Sequence, residues 1–267
     1  MRLVFLGSPP AAVPSLEALI AAGHEVALVI TQPDRRRGRG SELVPTPVKA
    51  AAVAHGIPAS ATVDDATTVG ADLGVVVAFG KIIKPHVLDA LSMVNVHFSL
   101  LPRWRGAAPV ERAILAGDAI TGVCIMRVDV GLDTGDVFSR EQLPIDDESS
   151  ADELTARLAD LGARLLVDTL AAGMNNPVAQ QGEPTYAAKV SPDELQLDMT
   201  RPAEELVRVT RLGRAWTTAA GKRLIVWRAR VGDDGTFEPV EVQPEGKGRM
   251  AYADWMRGTG GAVALGT

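Results

Sequence analysis

The chain is poor in cysteine and aromatic residues, and it has no long apolar run. Its single cysteine, Cys124, rules out an internal disulfide and favours a reducing compartment. The longest apolar run, at residues 73–79, is far shorter than the roughly 20 residues that span a bilayer. The N-terminal apolar stretch is too short for the core of a signal peptide. We therefore expect a soluble, cytoplasmic protein with no membrane partner, in which Cys124 is buried and inert.

The common nucleotide and metal motifs are also missing. The loop after the first predicted strand, GSPPAAVP, lacks the second and third glycines of GxGxxG and has prolines where free amides would be needed. There is no P-loop lysine motif. Neither His86 nor His97 has a companion ligand at useful spacing, and His24 and His55 lie beside glycines at element ends. We expect no dinucleotide site, no P-loop and no metal.

Positive charge is scarce overall. The net charge of −6 argues against a surface that is uniformly basic for nucleic-acid binding. Two local basic features remain, the loop PDRRRGRGSE and the segment at residues 201–230. Either feature could be an ordinary solvated surface or a set of phosphate contacts.

What the chain does contain is a regular alternation of apolar strands and helical segments, with enough apolar residues, 46%, to fill a core. This alternation predicts an α/β fold with a Rossmann-like, doubly wound, mostly parallel sheet. Past Lys189 the alternation stops. A helix from Thr200, with Pro202 just inside it, and a two-faced strand that follows predict a smaller β-containing domain. We expect a catalytic domain at 1–189 and a small domain at 190–267.

The stretch NVHFSLLPRWRGAAP concentrates the scarce polar residue types directly after an apolar run. If it begins as a strand, then Asn95, His97 and Ser99 share one face at its carboxyl end, where open α/β sheets bind ligands. The turn GLDTGD follows another strand and could place Asp133 beside His97. Together these residues offer donors for an oxyanion and a carboxylate to orient the imidazole and accept a proton. Taken alone, each motif is more typical of an ordinary cap or turn.

With GSP at Gly7, PTPVK at 45–49 and VVVAFG at 75–80, the two motifs resemble the 10-formyltetrahydrofolate-dependent formyltransferases. The resemblance implies that Asn95, His97 and Asp133 are catalytic. The expected reaction transfers a formyl group from 10-formyltetrahydrofolate to the α-amino group of methionyl-initiator tRNA. Asn95 and His97 would hold the oxyanion, and Asp133 would hold the imidazole and take the amine's proton directly or through water. No covalent enzyme intermediate is implied.

The resemblance implies further contacts with the folate donor and the tRNA. The residues expected to contact the folate are Ser99, Leu100, Leu101, Pro102, Gly80, Ile83 and Asp136. Those expected to bind the tRNA are Arg35, Arg36, Arg37, Arg39, Arg208 and Arg211. Phe98 stands where the family commonly has glycine, which predicts a reshaped folate site. The C-terminal domain is shorter than in the family and is expected to be a truncated OB-like fold, in a protein that acts as a monomer.

Two alternatives stay open at this point. One is a formyltransferase for another amine, such as an amino-sugar nucleotide, which would not need the missing C-terminal strands. The other is a folate-binding or tRNA-binding protein without turnover, although such a protein has no use for the complete set of Asn95, His97 and Asp133.

Overall fold

A computed structural model describes residues 1–36, 43–260 and 263–267. The described part divides into two compact units. Unit 1 comprises residues 1–109, 120–144 and 155–187, and unit 2 comprises residues 110–119, 145–154 and 188–267. Unit 2 includes two segments that precede residue 188, so the two units are not separated at a single position in the chain. The division expected at residue 189 remains a proposal.

The strands fall at β1 Arg2–Gly7, β2 Glu25–Ile30, β3 Arg35–Arg36, β4 Leu43–Val44, β5 Ala59–Ser60, β6 Leu73–Val77, β7 Met93–His97, β8 Arg105–Gly106, β9 Ile120–Arg127, β10 Val137–Pro144, β11 Tyr186–Ala187, β12 Ala215–Ala219, β13 Lys222–Val231, β14 Phe237–Pro244 and β15 Met250–Ala251. The α-helices are α1 Val13–Ala21, α2 Pro47–Ala54, α3 Pro85–Ala90, α4 Pro109–Ala116, α5 Ala151–Ala171, α6 Ala203–Thr210 and α7 Tyr252–Gly258. Short 3-10 helices span Pro10–Ala12, Val63–Thr67 and Asp193–Leu195.

Unit 1 is built on a seven-stranded sheet in the order β10-β9-β7-β6-β1-β2-β5. The pairings from β5 to β7 are parallel, whereas β9 is antiparallel to both β7 and β10. This confirms the mostly parallel Rossmann-like sheet. Because β1, β2, β6 and β7 run in the same direction, their carboxyl ends meet at one edge.

Both faces of this sheet are covered. On one face, Val4, Leu28 and Val76 form a core with residues of α3 and of the 3-10 helix Val63–Thr67. On the other face α5 approaches closely at Gly162, where an added Cβ would lie 2.7 Å from the side chain of Val96. Strands that are buried on both faces explain the continuous apolar runs in the sequence.

The chief sheet of unit 2 is antiparallel, in the order β12-β13-β14-β15. Its core joins Leu224, Val226 and Val242 to Leu206 and Val209 of α6. Among the described residues β12 and β15 do not pair, so the four strands form an open sheet and not a closed barrel, in line with the expected truncated OB-like fold.

One local prediction in unit 2 was wrong. Pro202 is the N-cap residue of α6 and not its first helical residue. Thr200 lies before the helix, and its hydroxyl donates to Asp198 Oδ1 at 2.7 Å.

No helix in the described ranges has both the length and the apolar character needed to cross a membrane.

Candidate active site

The candidate site lies at the carboxyl end of β7. Met93 contributes to the core on the β7 face that carries Asn95 and His97. Phe98 is on the opposite face, where its ring carbon lies 3.5 Å from the position of a Cβ at Gly162 in α5. The strand alternation therefore separates the Phe98 ring from the polar face, which argues against the expected reshaping of the folate site by this residue.

His97 is buried and held by a backbone oxygen. Its Nε2 lies 2.9 Å from the carbonyl oxygen of Trp104. Because a carbonyl oxygen can only accept, Nε2 carries a hydrogen and donates it. The other ring nitrogen, Nδ1, lies 3.8 Å from Oδ2 of Asp133, and the two side chains are 6% and 16% exposed.

The distance of 3.8 Å is longer than a hydrogen bond. The structure thus places Asp133 beside His97, but the imidazole is oriented by Trp104 and not by the carboxylate. Oδ2 of Asp133 accepts a hydrogen bond of 2.8 Å from the backbone N–H of Gly106. These backbone partners could not be read from the sequence, since every residue type offers a carbonyl.

Two non-glycine residues with left-handed backbones face the imidazole. Trp104 has φ 62° and Asp133 has φ 49°. Such conformations cost about 1–3 kcal/mol each and persist where the surroundings enforce them. The Trp104 amide donates to Thr185 Oγ1 at 2.9 Å. At Gly135 an added Cβ would overlap the backbone oxygen of Arg127, so the Asp133 loop packs tightly against β9.

The predicted folate segment at 99–102 is partly structural. Ser99 is fully buried, and its hydroxyl donates to the Arg103 carbonyl at 2.5 Å. Leu101 is 2% exposed and packs in a cluster with Cys124. Leu100 and Pro102 are half-buried. The side chains of Ser99 and Leu101 therefore stabilise the fold, and within this segment only Leu100 and Pro102 have side chains that a ligand can contact.

The other predicted folate residues lie in neighbouring loops. Gly80 follows β6 with φ 71°, exposed and with open space around its α-carbon. Ile83 packs against the core of the sheet, and the half-buried Asp136 accepts from the Arg127 amide through its backbone oxygen at 2.8 Å. In the described part of the chain the half-buried side-chain amide of Asn95 has no hydrogen-bond partner. Asn95 is therefore available to a ligand.

Cys124 lies on β9 beside His97 in the sheet register and is completely buried. Burial raises the pKa of its thiol to about 11. At neutral pH the thiol is protonated and a poor nucleophile. No cluster of three or more His, Cys, Asp or Glu side chains suited to a metal occurs within residues 1–36, 43–260 and 263–267.

The predicted tRNA-binding arginines differ in their surroundings. Arg35 and Arg36 form the exposed strand β3, which pairs with β4. Arg37 and Arg39 lie outside the described residues. In unit 2 the half-buried Arg208 packs over Gly117, where its guanidinium fills the position of a Cβ.

Arg211 donates hydrogen bonds to backbone carbonyls of unit 2. Its Nε donates to the Ser149 carbonyl at 2.8 Å and its Nη2 to the Asp146 carbonyl at 2.6 Å. Burial lowers the pKa of this guanidinium from its usual value. The side chain therefore holds the 146–149 segment.

Comparisons with known proteins point to one family. A family model described as formyl transferase matches residues 1–170. The chain is 42% identical to the methionyl-tRNA formyltransferase of Roseobacter denitrificans, over 97% of this chain and 96% of the relative. Among solved structures it is similar to the methionyl-tRNA formyltransferase from Clostridium thermocellum, with a TM-score of 0.69, 17% identity and coverage of 93% and 100% of the two chains.

A second similar solved structure is a complex with two small molecules. The N-formyltransferase from Helicobacter canadensis, in complex with folinic acid and dTDP-3-aminofucose, matches with a TM-score of 0.67 and 17% identity over 87% of this chain and 88% of that chain. At this identity the likeness shows the shared fold alone.

Proposed function

Because this chain belongs to the methionyl-tRNA formyltransferase family, we propose that Asn95, His97 and Asp133 act as one catalytic unit in formyl transfer. The reaction transfers a formyl group from 10-formyltetrahydrofolate to the α-amino group of methionyl-initiator tRNA. The observation that supports the proposal is the buried His97 ring, placed between the Trp104 carbonyl and the Asp133 carboxylate at the end of β7.

The surroundings suit a folate donor. Asn95 offers an amide without a partner among the described residues. Gly80 leaves open space beside the sheet edge. Exposed apolar side chains in the loops after β6 and β9, Ile82, Val130 and Leu132, suit the apolar parts of a folate. When bound, the donor supplies the formyl group and a nitrogen leaving group.

Asn95 and Asp133 then act on the reacting groups. Asn95 donates its amide hydrogens to the formyl oxygen, on which negative charge develops as the neutral amine attacks. His97 lines the same face, with its ring fixed by Trp104. Asp133 takes the proton that the amine sheds, directly or through water, since its side chain is 16% exposed. That proton goes to the donor nitrogen as its bond to the formyl carbon breaks. Oδ2 of the Asp133 carboxylate also lies 3.8 Å from His97 Nδ1, close enough for the carboxylate charge to act on the ring.

The amino-sugar alternative is less well supported. The solved sugar formyltransferases are similar at 17% and 18% identity, which shows a shared fold alone. The chain is 42% identical over nearly its whole length to a methionyl-tRNA formyltransferase.

We propose that Arg35, Arg36, Arg37, Arg39 and Arg208 contact phosphates of the tRNA. Arg35 and Arg36 are exposed, as such contacts require. Arg211 is left out of this set because two of its donor groups are bonded to carbonyls of unit 2.

We also propose that the protein acts as a monomer in the cytoplasm. His97, Asp133, Trp104 and Gly106 all lie in unit 1 of one chain, so no second copy is needed to complete this site. Light scattering on the eluting protein at assay concentration would test the monomer, and a dimer mass would contradict it.

The catalytic proposal is tested by the turnover of Asn95→Ala, His97→Ala and Asp133→Asn. Each should lose roughly 2–4 kcal/mol of transition-state stabilisation, the scale of one oxyanion donor. Double variants should lose less than the sum, because the residues act together. His55→Ala, a change at a histidine of unit 1 that bonds to Glu17, is the matched control. Near-normal turnover in His97→Ala would contradict the mechanism.

A further inference from the structure

Gln180 bridges the two loops that contain the proposed catalytic contacts. Its Nε2 donates to the backbone oxygens of Asp133 and Gly135, each at 2.8 Å. Its Oε1 accepts from Nε and Nη2 of Arg105, at 3.0 and 2.6 Å. One amide therefore links the loop that carries Asp133 to the strand that carries Gly106.

The chemistry of the partners fixes the orientation of this amide. Backbone oxygens cannot donate, and a guanidinium cannot accept, so the nitrogen must face the Asp133 loop and the oxygen must face Arg105. Both amide hydrogens are used, and the oxygen accepts two bonds. No other residue type of the same length and charge can make this set of contacts.

Gln180 belongs to a segment that supports both loops along its length. Near its start, Val178 forms an antiparallel bridge with Val137, which follows the Asp133 loop. Near its end, Thr185 accepts from the Trp104 amide, and β11 pairs with β8. This segment follows the residues 1–170 that match the family model.

We propose that Gln180 is a positioning residue that sets the distance between the Asp133 carboxylate and the His97 imidazole. Asp133 Oδ2 is held by the Gly106 amide, and Gly106 follows Arg105 directly, so the Gln180 bridge fixes both ends of that contact. Trp104, whose carbonyl orients His97, precedes Arg105. This inference rests on the catalytic roles proposed above.

The test compares Gln180→Met, which removes all four hydrogen bonds at similar length, with Gln180→Glu, which keeps the acceptor for Arg105 and removes both donors. Both variants should lose at least tenfold in kcat, with KM for methionyl-tRNA and for the folate donor changed less than threefold. The matched controls are Gln181→Met and Gln181→Glu at the exposed neighbour, which should keep wild-type kcat. Thermal unfolding shows whether each variant is folded. If Gln180→Met is not folded, the result for Gln180→Glu decides the test.

A double-variant cycle separates positioning from a merely structural role. If Gln180 acts through Asp133, then Gln180→Met should cost less than twofold in an Asp133→Asn background. If Gln180→Met causes its full loss of kcat in that background, the inference about Gln180 is overturned. The same holds if a folded Gln180 variant stays within twofold of wild-type kcat while Asp133→Asn is impaired. Neither outcome affects the catalytic assignment. Wild-type kcat in Asp133→Asn would instead overturn the catalytic assignment and this inference with it.

Discussion

The candidate site in unit 1 and a charged groove in unit 2, which is lined chiefly by residues 146–153, 204–213 and 227–231, use polar residues in opposite ways. Around His97 the side chains are few and largely buried, and their partners are backbone groups at fixed positions. In unit 2 the groove contains many charged side chains, and Arg228 and Arg230 are exposed. Formyl transfer needs groups held to within a fraction of an ångström, whereas a long polyanion can be bound by many mobile charges.

The groove also shows why net charge is a poor guide to the partner. Its acidic side chains outnumber its arginines; the acids are Asp146, Asp147, Glu148, Asp152, Glu153, Glu204 and Glu241, and the arginines are Arg208, Arg211, Arg228, Arg230 and Arg249. Attraction to tRNA must therefore come from particular arginines with open surroundings and not from unit 2 as a whole.

The largest contrast should come from adding one methyl group to each region. In Gly135→Ala the new Cβ meets the Arg127 backbone oxygen, so the Asp133 loop must move. We expect a loss of about 1–3 kcal/mol in stability and of well over tenfold in kcat. In Gly235→Ala, at the β13–β14 hairpin of unit 2, φ is 79° and the space is open. That change should cost about 1–2 kcal/mol of backbone strain, with kcat unchanged.

Urea unfolding and steady-state turnover of the two variants measure the contrast. Equal losses of kcat in Gly135→Ala and Gly235→Ala would show that the loop around Asp133 is no more demanding than a surface hairpin.

Features that follow strand or helix periodicity could be predicted from the sequence, whereas contacts between loops could not. The alternation in NVHFS could predict a shared face for Asn95 and His97, because strand periodicity is a local property and β7 includes both residues. The same alternation could not show that Ser99 bonds to the Arg103 carbonyl, because that contact depends on the turn that follows. Likewise, the basic character of Arg211 did not reveal that its donors point inward.

Other features have no sequence signal at all. The groups that hold His97 and Asp133 are the backbone carbonyl of Trp104 and the backbone amide of Gly106, which carry no side-chain identity. Gln180 is distant along the chain and lies in a segment without regular periodicity. The fold class was predictable because it depends on repeated patterns, whereas these contacts depend on where loops meet.

A smaller effect is expected from the arginines. The triple variant Arg36→Ala, Arg37→Ala, Arg39→Ala should raise KM for methionyl-tRNA and leave the affinity for a folate analogue unchanged. The slope of log K against log salt should fall by about 0.7–0.9 for each phosphate that is no longer neutralised. Arg208→Met should lower the slope by no more than the value for a single phosphate. Arg211→Met should leave the slope unchanged, because its donors serve the carbonyls of unit 2.

Binding isotherms for initiator tRNA at several salt concentrations give these slopes. A shallow wild-type slope that the triple variant does not change would contradict phosphate binding by this loop and favour a small acceptor. A lower slope in Arg211→Met would show that its inward hydrogen bonds open when tRNA binds.

The smallest effect concerns a surface ion pair of unit 2. Arg112 donates to Glu194 Oε1 at 2.5 Å and to the Ala188 carbonyl at 2.8 Å. The Arg112 hydrogen bond is the main reason that the pKa of Glu194 falls from 4.5 to about 2. Because the folded pKa is lowered, the stabilisation is complete above pH 4.5 and is lost as the pH falls toward 2. The Glu194 side chain is 39% exposed, so solvent screening should keep the contribution below about 1 kcal/mol.

Urea unfolding of wild type and Glu194→Gln at pH 6 and pH 3.5 should therefore show a small difference in the free energy of unfolding that shrinks at the lower pH. A difference that is equal at both pH values would mean that Glu194 stabilises unit 2 through packing and not through its charge.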